Sequence, residues 1–130
     1  MIIHGCEQGT EAWLNLRVGK FTASNFHIFL GNSQTRTKEI YKKAAERITG
    51  KRCDQDSFKN GHTERGHELE PIAREVYFFE AGNEIKEVGF IELDDFTGCS
   101  PDGLIDEDGM VEVKCVDNHT FLMIKNKNYI

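Results

Sequence analysis

The chain has 130 residues, of which 38% are hydrophobic and 29% are charged, a balance typical of one soluble globular domain. We therefore predict a single domain over residues 1–130. No stretch approaches the ~20 apolar residues of a membrane-crossing helix, so we expect no membrane partner. Residues 1–5 carry no basic segment before an apolar core, which indicates no signal peptide, a cytoplasmic location and reduced cysteines.

Charge is unevenly distributed along the chain. The formal net charge is −6, with residues 1–66 at +4 and residues 67–130 at −10. A basic half beside an acidic half suits a protein that binds phosphate groups with one part and cations with the other. From charge alone, a solvated surface of mixed sign is the simpler interpretation.

The first half of the chain predicts helices. Apolar residues at helical spacing, followed by glycines, indicate helices over residues 10–17, 22–30, 37–49 and 62–79. Thr22 would cap the second helix, and residues 32–36 would form a polar loop before the third. In the fourth helix, Pro71 either lies in the first turn of a helix that begins later or kinks a longer one. The apolar stripe of this helix, which includes Ile72 and Phe79, is expected to be buried.

The second half predicts strands and one further helix. Short β-rich runs between turn residues indicate strands over residues 84–88, 90–93, 96–100, 103–106 and 110–116, with a helix at 118–125. The run 96–106 reads as one strand interrupted at Pro101. The element order predicts an α/β (α+β) fold in which N-terminal helices precede a mixed sheet with a central hairpin.

The central hairpin carries two acids and a lysine. If its turn is the three residues 106–108, Asp102 lies opposite Glu112, whereas a two-residue turn at 108–109 would shift this register. Two opposed carboxylates repel each other unless a cation lies between them. Lys114, two positions after Glu112, would point to the same side of the strand.

These residue types fit metal-dependent phosphodiester hydrolysis. Asp102 and Glu112 would bind Mg²⁺ or Mn²⁺, hard ions that favour oxygen ligands, with the carbonyl of Val113 as a further ligand. Lys114 would orient the attacking water or stabilise charge that develops on phosphorus. Taken alone, this strand is better explained by an ordinary exposed Glu/Lys pair. The Ser100-Pro101-Asp102-Gly103 segment upstream favours the metal site.

Several segments, taken in order, resemble one family of nucleases. Pro101-Asp102 and Glu112-Val113-Lys114 match the PD-(D/E)xK nuclease signature, which is short enough to occur by chance. The segments around them are more specific and resemble the YqaJ-like viral recombinase family, which includes phage lambda exonuclease. These segments are residues 8–13, 16–24, 66–74, 98–104 and 112–115. The resemblance covers almost the whole chain and implies a restriction-endonuclease-like core with the active site on the hairpin.

The resemblance implies a metal centre. Asp102 and Glu112 become metal ligands together with the Val113 carbonyl, and two ions are expected. Lys114 becomes the catalytic lysine. Glu70, on the helix before the sheet, becomes a further acid near the second metal; without the family it would be interpreted as a surface residue.

The resemblance also implies a pocket for a terminal 5′-phosphate, formed by Arg17, Ser24 and Ser100. An arginine suits this role because its guanidinium can contact phosphate through two parallel hydrogen bonds. Ser24 would lie in the first turn of its helix, where free backbone N–H groups favour anions. The alternatives are that Arg17 complements a helix dipole and that Ser24 is an ordinary polar residue. A basic run at 42–52 would contact the DNA backbone or form a solvated helix face.

The function implied is a Mg²⁺-dependent deoxyribonuclease, a 5′→3′ exonuclease on double-stranded DNA ends. It would act in phage-type recombination beside a single-strand annealing protein, in the host cytoplasm if a phage encodes it. The family forms homotrimers and continues past the E-x-K segment with a helix and strands. We expect this chain to lack them, so its activity and its trimerisation do not follow from the resemblance.

Two alternative functions stay open at this point. One is an endonuclease or junction resolvase on the same scaffold, which a terminal-phosphate pocket argues against because such a pocket implies recognition of ends. The other is a non-catalytic DNA-binding fragment.

Overall fold

The computed structural model describes residues 1–31, 33–53 and 61–126. The chain forms two compact units, one made of Met1–Ser57 with Glu84–Val111 and the other of Phe58–Asn83 with Glu112–Ile130. Helices and mixed sheets are both present, which confirms the predicted α/β class. No helix of the described residues is both long and apolar enough to span a membrane. The single domain over residues 1–130 stays a prediction.

The described residues contain seven strands and four α-helices. The strands are β1 (Ile2–His4), β2 (Phe21–Thr22), β3 (Ile85–Lys86), β4 (Phe90–Glu92), β5 (Thr97–Cys99), β6 (Gly103–Ile105) and β7 (Gly109–Val111). The helices are α1 (Glu11–Leu16), α2 (Gln34–Thr49), α3 (Gly61–Ala81) and α4 (Asn118–Asn126), with a 3-10 helix over Ala23–Phe29. The predicted helices at 10–17, 62–79 and 118–125 are confirmed within two residues, whereas β1 and β2 had not been predicted.

Helix α2 begins earlier than predicted. The Ser33 hydroxyl oxygen accepts a hydrogen bond from the Arg36 N–H over 3.3 Å, so Ser33 caps the helix and Gln34 is its first residue. The loop predicted for residues 32–36 is therefore wrong from Gln34 onwards, and Asn32 lies outside the described residues. The start of α2 is thus marked by its capping serine and not by the spacing of its apolar residues.

The segment 22–30 forms a 3-10 helix of seven residues, not an α-helix. Thr22 precedes it but makes no capping hydrogen bond with its side chain, so the predicted cap is wrong. Pro71 lies inside the 21-residue helix α3. Of the two alternatives left open for this proline, the longer helix is the one observed.

The first unit contains two sheets. The four-stranded sheet has the order β1-β4-β5-β2, in which β2 and β5 are parallel and the other neighbours are antiparallel. The three-stranded sheet has the order β3-β6-β7 and is antiparallel. Because β5 and β6 belong to different sheets, residues 96–106 are not one interrupted strand. Pro101, which has no N–H to donate to a ladder, lies where the chain passes from one sheet to the other.

The buried core of the described residues lies around the four-stranded sheet. Phe90 is fully buried, and Ile91, Val88 and Trp13 are nearly so. The stripe predicted to be buried on α3 is only half-buried at Leu69 and Ala73 and is exposed at Ile72, Val76 and Phe79, with 82% of Phe79 accessible. Helical spacing aligns such residues on one face, but burial requires that another element cover that face.

Strands β6 and β7 decide between the two hairpin registers left open. Gly103 pairs with Val111 and Ile105 with Gly109, which leaves residues 106–108 as a three-residue turn and excludes the two-residue turn at 108–109. The predicted strand at 110–116 is wrong beyond Val111, because residues 112–117 adopt no regular structure. The ladder ends at the Gly103–Val111 pair, so the expected pairing of Asp102 with Glu112 stays a prediction.

Candidate functional site

Trp13 and Arg17 stack at the end of helix α1. The helix is capped by Thr10, whose hydroxyl oxygen accepts from the Trp13 N–H over 3.4 Å. Trp13 is buried, and Arg17 follows four residues later, which places both side chains on one face of the helix. The Arg17 guanidinium carbon lies 4.1 Å from the centre of the indole ring. This cation–π contact holds the guanidinium against the core of the first unit.

The Ser100 hydroxyl oxygen accepts hydrogen bonds from both of these side chains. Its oxygen accepts a hydrogen bond from Trp13 Nε1 over 2.9 Å and one from an Arg17 guanidinium nitrogen over 3.4 Å. Ser100 follows strand β5 and is half-buried. The structure therefore brings together two of the three residues predicted for the phosphate pocket, Arg17 and Ser100.

Ser24, the third of these residues, joins the same cluster through Thr22. The parallel ladder of β2 and β5 pairs Thr22 with Gly98. Ser24 lies two residues after Thr22, and Ser100 lies two residues after Gly98. The Thr22 hydroxyl is buried, lies 3.2 Å from the Ser24 hydroxyl and accepts from Arg17 over 3.5 Å. Strand pairing thus brings two distant sequence segments side by side. We call Arg17, Thr22, Ser24 and Ser100 the hydroxyl–guanidinium cluster.

The Arg17 guanidinium makes fewer hydrogen bonds than it has N–H donors. It is half-buried, and burial lowers the pKa of its guanidinium from the ordinary value. Within the described residues it forms no ion pair with a carboxylate, and its two side-chain hydrogen bonds, of 3.4 and 3.5 Å, are long. A guanidinium has five N–H donors. The arrangement therefore leaves a partly desolvated positive charge able to bind an anion.

The helix argument made for Ser24 does not hold. The segment that follows Thr22 is a short 3-10 helix, so it lacks the extended N-terminal turn on which anion binding by an α-helix depends. Ser24 is exposed, and its place beside Thr22 is what connects it to the cluster.

Asp102 lies where the chain enters strand β6. It is half-buried, and its N–H donates to the Val111 carbonyl over 3.1 Å. The residue before it is fixed by Gln8, whose side-chain amide donates to the Pro101 carbonyl over 2.9 Å and to the Val88 carbonyl over 3.0 Å. Val88 lies between β3 and β4, and Pro101 lies between β5 and β6, two of the places where the chain passes between the sheets. Gln8 is therefore hydrogen-bonded to both connecting segments.

Glu112, Val113, Lys114 and Glu70 belong to the second unit. Lys114 Nζ donates to the Glu112 carboxylate, and both side chains are exposed. An exposed pair of this kind contributes roughly 0–1 kcal/mol to stability. Val113 is half-buried, as is Glu70 within α3. The predicted roles of these four residues stay predictions.

The donor set of these residues fits a hard divalent ion. Asp102, Glu112 and Glu70 would supply carboxylate oxygens and Val113 a carbonyl oxygen, which are the ligands that Mg²⁺ and Mn²⁺ prefer. In the part of the chain that the structure describes, no three His, Cys, Asp or Glu side chains form a ready-made metal cluster. The fit therefore rests on ligand chemistry.

The basic run at 42–52 is largely engaged within the protein. Lys43 forms an ion pair with Glu46 over 2.9 Å, and Arg52 pairs with Glu11 over 3.2 Å. Arg47 donates to the Asp95 carbonyl over 2.7 Å. These contacts hold three basic side chains of the run against the protein, and contact of the run with the DNA backbone stays a prediction.

The fold is that of an α/β domain of the restriction-endonuclease-like kind. The family model of the YqaJ-like viral recombinase domain matches residues 12–129. The chain therefore belongs to the YqaJ-like viral recombinase family, and the membership predicted from its sequence segments is confirmed.

Solved structures of similar proteins agree with this membership. The chain is 33% identical to an alkaline exonuclease (LHK-Exo) from Laribacter hongkongensis, with a TM-score of 0.76 over 91% of this chain and 59% of that one. The structure of LHK-Exo in complex with dAMP matches with the same identity and TM-score and is covered to 60%. The chain thus spans about three-fifths of the length of these proteins. No curated protein matches the chain.

Sequence reasoning missed two contributors to the cluster. Thr22 had been assigned to a helix cap, and Trp13 had been given no part in the pocket. A buried threonine between an arginine and a serine cannot be read from local spacing, because its partners come together through the β2–β5 ladder. The spacing of Trp13 and Arg17, four residues apart, was a visible signal for their stacking.

Proposed function

We propose that the chain is a divalent-metal-dependent deoxyribonuclease that digests double-stranded DNA from its ends, in the 5′→3′ direction. The observation that supports this best is the hydroxyl–guanidinium cluster. It joins a half-buried arginine with three hydroxyl groups, in a chain that is 33% identical to the alkaline exonuclease LHK-Exo. That relative was crystallised with dAMP, a nucleotide that carries a 5′-phosphate, which supports a phosphate ligand for this chain as well.

In this proposal the cluster binds the terminal 5′-phosphate. Arg17 supplies charge and free N–H donors, and burial of the guanidinium strengthens its attraction for a phosphate oxygen. Ser100 accepts from both Trp13 and Arg17, which occupies its oxygen and leaves its O–H hydrogen for donation. Ser24, exposed beside Thr22, adds a further hydroxyl.

Asp102, Glu112 and Glu70, with the Val113 carbonyl, are the residues we propose as ligands of two Mg²⁺ or Mn²⁺ ions. When bound, such ions offset negative charge that develops on the scissile phosphate. Lys114 would hold the attacking water or stabilise charge on phosphorus. Support for these roles comes from the residue types, the matching segments and family membership.

The proposed partners follow from the same reasoning. Double-stranded DNA ends are the substrate, a single-strand annealing protein is the recombination partner, and the site of action is the cytoplasm, of the host if a phage encodes the chain. We propose a homotrimer only for a protein that also contains the two-fifths of LHK-Exo that this chain does not cover.

The experiment compares end-labelled linear duplexes bearing a 5′-phosphate or a 5′-hydroxyl with closed circular DNA, each in Mg²⁺ or EDTA. We expect Mg²⁺-dependent loss of linear DNA only, faster for the 5′-phosphate. Arg17→Gln should remove the preference for phosphate, since a hydrogen bond to a charged group contributes ~1.5–3 kcal/mol. Arg36→Gln, at a half-buried arginine in the first turn of α2 whose side chain donates to the Gly31 carbonyl, is the matched control.

Other outcomes select the alternatives. Cutting of circular DNA would favour the endonuclease or junction resolvase. Binding of duplex without cleavage in Mg²⁺ or Mn²⁺ would favour a non-catalytic DNA-binding fragment. Equal digestion of phosphorylated and hydroxyl ends by the wild-type chain would contradict the phosphate pocket.

A further inference from the structure

Glu46 of helix α2 is a buried carboxylate with no part in the function proposed so far. Its exposed fraction is 3%. One carboxylate oxygen accepts from the Gly19 N–H over 3.0 Å and from Lys43 Nζ over 2.9 Å, and the other accepts from the Cys53 N–H over 3.1 Å. A buried charge is tolerated only when it is paired and hydrogen-bonded in this way. Glu46 therefore ties two segments outside its own helix, at Gly19 and at Cys53, to α2.

One of these segments is the turn that begins at Arg17. The Lys20 N–H donates to the Arg17 carbonyl over 3.1 Å and closes a four-residue turn. Gly19 is its third residue and has a φ of +67°, a conformation that side-chain-bearing residues rarely adopt. A Cβ at this position would also collide with the Arg47 side chain. The turn is thus held from outside by α2, through the Glu46 carboxylate and through packing of Arg47.

The place of the Arg17 side chain depends on this turn. Its contacts with Ser100 and Thr22 are long, at 3.4 and 3.5 Å, so they restrain the guanidinium only loosely. Its cation–π contact with Trp13, with the guanidinium carbon 4.1 Å from the ring centre, is not directional enough to place the N–H groups beside Ser100. The remaining restraint is the backbone from which the side chain leaves. On its N-terminal side the Arg17 N–H donates to the Leu14 carbonyl over 3.2 Å, and on its C-terminal side the turn is held by the bond from the Gly19 N–H to Glu46.

We propose that Glu46 is a positioning residue for recognition of the 5′-phosphate: it fixes the Arg17–Lys20 turn and thereby places the Arg17 guanidinium beside Ser100. This inference rests on the proposed function of the hydroxyl–guanidinium cluster. Glu46 acts through Arg17 and does not contact the phosphate.

The test measures binding of fluorescently labelled duplexes with a 5′-phosphate or a 5′-hydroxyl end, in EDTA so that no cleavage occurs. The readout is the ratio of the two affinities. Glu46→Gln keeps the size of the side chain but replaces one accepting oxygen by an NH₂ group. Because both oxygens accept from backbone N–H groups, the NH₂ group then faces a donor and one of these hydrogen bonds is lost. We expect the ratio to fall by roughly threefold to tenfold, with little change for the 5′-hydroxyl duplex. Glu46→Asp, which keeps the charge but is one methylene shorter, should give a smaller fall.

Glu39→Gln is the matched control. Glu39 lies on the same helix and pairs with Lys42 over 3.8 Å, so its change removes the same charge without touching the turn. Its affinity ratio should equal that of the wild type. Circular dichroism at the assay temperature establishes that each variant is folded.

The outcomes separate the two claims. If the wild-type chain does not prefer the 5′-phosphate, or if Arg17→Gln keeps that preference, the proposed function fails. If Arg17→Gln loses the preference and folded Glu46→Gln retains it, only the positioning role is overturned. If both Glu46 variants are unfolded, or if they weaken both duplexes equally, Glu46 serves the fold in general and the positioning role is likewise overturned.

Discussion

The indole N–H of Trp13 donates to the hydroxyl oxygen of Ser100 over 2.9 Å, although the two residues are 87 positions apart in the sequence. The same indole nitrogen also contacts the Gly89 carbonyl over 3.0 Å. A side chain whose bulk is buried in the core thus fixes a hydroxyl at the proposed phosphate pocket. Packing of the core and orientation of the pocket depend on one residue.

Trp13→Phe should test this double role. Phenylalanine keeps most of the ring but removes the donor, which leaves the buried Gly89 carbonyl without that bond and Ser100 free to rotate. We expect a loss of ~1–3 kcal/mol in the free energy of unfolding and a weaker preference for 5′-phosphate ends. Urea unfolding must be followed by circular dichroism, because Trp13 is the single tryptophan of the chain. Unchanged stability and unchanged end preference would contradict the role.

Gly98→Ala should destabilise the four-stranded sheet. A Cβ at Gly98 would overlap the fully buried ring of Phe90 and approach the Ile91 carbonyl oxygen to 2.7 Å. Overpacking of this kind costs ~1–3 kcal/mol. Gly5→Ala is the control, since no atom lies within 4 Å of its Cβ position. Thermal unfolding of both variants gives the comparison, and equal melting temperatures would contradict the expected strain.

Gln8→Leu should loosen the segment between Ser100 and Asp102. Leucine has similar volume but cannot donate to the Pro101 and Val88 carbonyls. We expect a loss of ~1–3 kcal/mol in stability and slower cleavage in Mg²⁺. Gln34→Leu, at an exposed glutamine in the first turn of α2, controls for the added apolar surface. A Gln8 variant as stable and as active as this control would show that the two bonds are dispensable.

The free energy of unfolding should decrease in acid, in part because the Glu92 carboxylate becomes protonated. Hydrogen bonds from Lys20 and from His4 lower the pKa of the Glu92 carboxyl below its usual range. A lowered folded-state pKa means that the unfolded chain binds the proton more readily. The contribution is therefore present above the unfolded pKa of about 4.3 and is lost as pH falls through the lower folded-state pKa.

Glu92→Gln should accordingly be less stable than the wild type at neutral pH, with a difference that shrinks in acid. Denaturant unfolding at neutral pH and below about pH 4 measures both differences. Glu107→Gln, in the exposed hairpin turn, is the control and should show no such convergence. A difference for Glu92→Gln that is constant across pH would rule out the ionised carboxylate as its source.

Lys114→Ala should abolish cleavage while leaving metal binding largely intact, if Lys114 acts on the reacting phosphate and not on the ion. Loss of its exposed pair with Glu112 should change stability by roughly 0–1 kcal/mol. Isothermal titration with Mn²⁺ and a cleavage assay in Mg²⁺ make the comparison. Loss of ion affinity together with activity would assign the lysine to the metal centre instead.

Local patterns in the sequence predicted four of the helical segments and the existence of the hairpin, although residues 23–29 form a 3-10 helix. Local spacing left two hairpin registers open, and the ladder of β6 with β7 shows the one with the turn at 106–108. The segments that contain Arg17, Ser24 and Ser100 were also found from sequence. Arg17 and Ser100 are in direct contact, and Ser24 reaches them through Thr22.

Long-range pairing was beyond such patterns. Strands β1 and β2 have three and two residues, too few to show an alternation, and they are defined by partners about 75 to 90 positions away. The passage from β5 to β6 was interpreted as one interrupted strand, because a change of sheet leaves no periodic signal. The role of Glu46 was equally hidden, since its donors come from Gly19 and Cys53 as well as from its own helix.

The change of sheet at Pro101 separates two neighbours in the sequence. Ser100 follows the last strand residue of one sheet, and Asp102 precedes the first strand residue of the other, so each is anchored to different hydrogen-bond partners. Under the roles proposed for Ser100 and Asp102, selectivity for the DNA terminus and bond cleavage would depend on different sheets, joined at Pro101 by the contact from Gln8. An engineer seeking an enzyme for unphosphorylated termini would rebuild the surroundings of Ser100 and leave the hairpin as it stands.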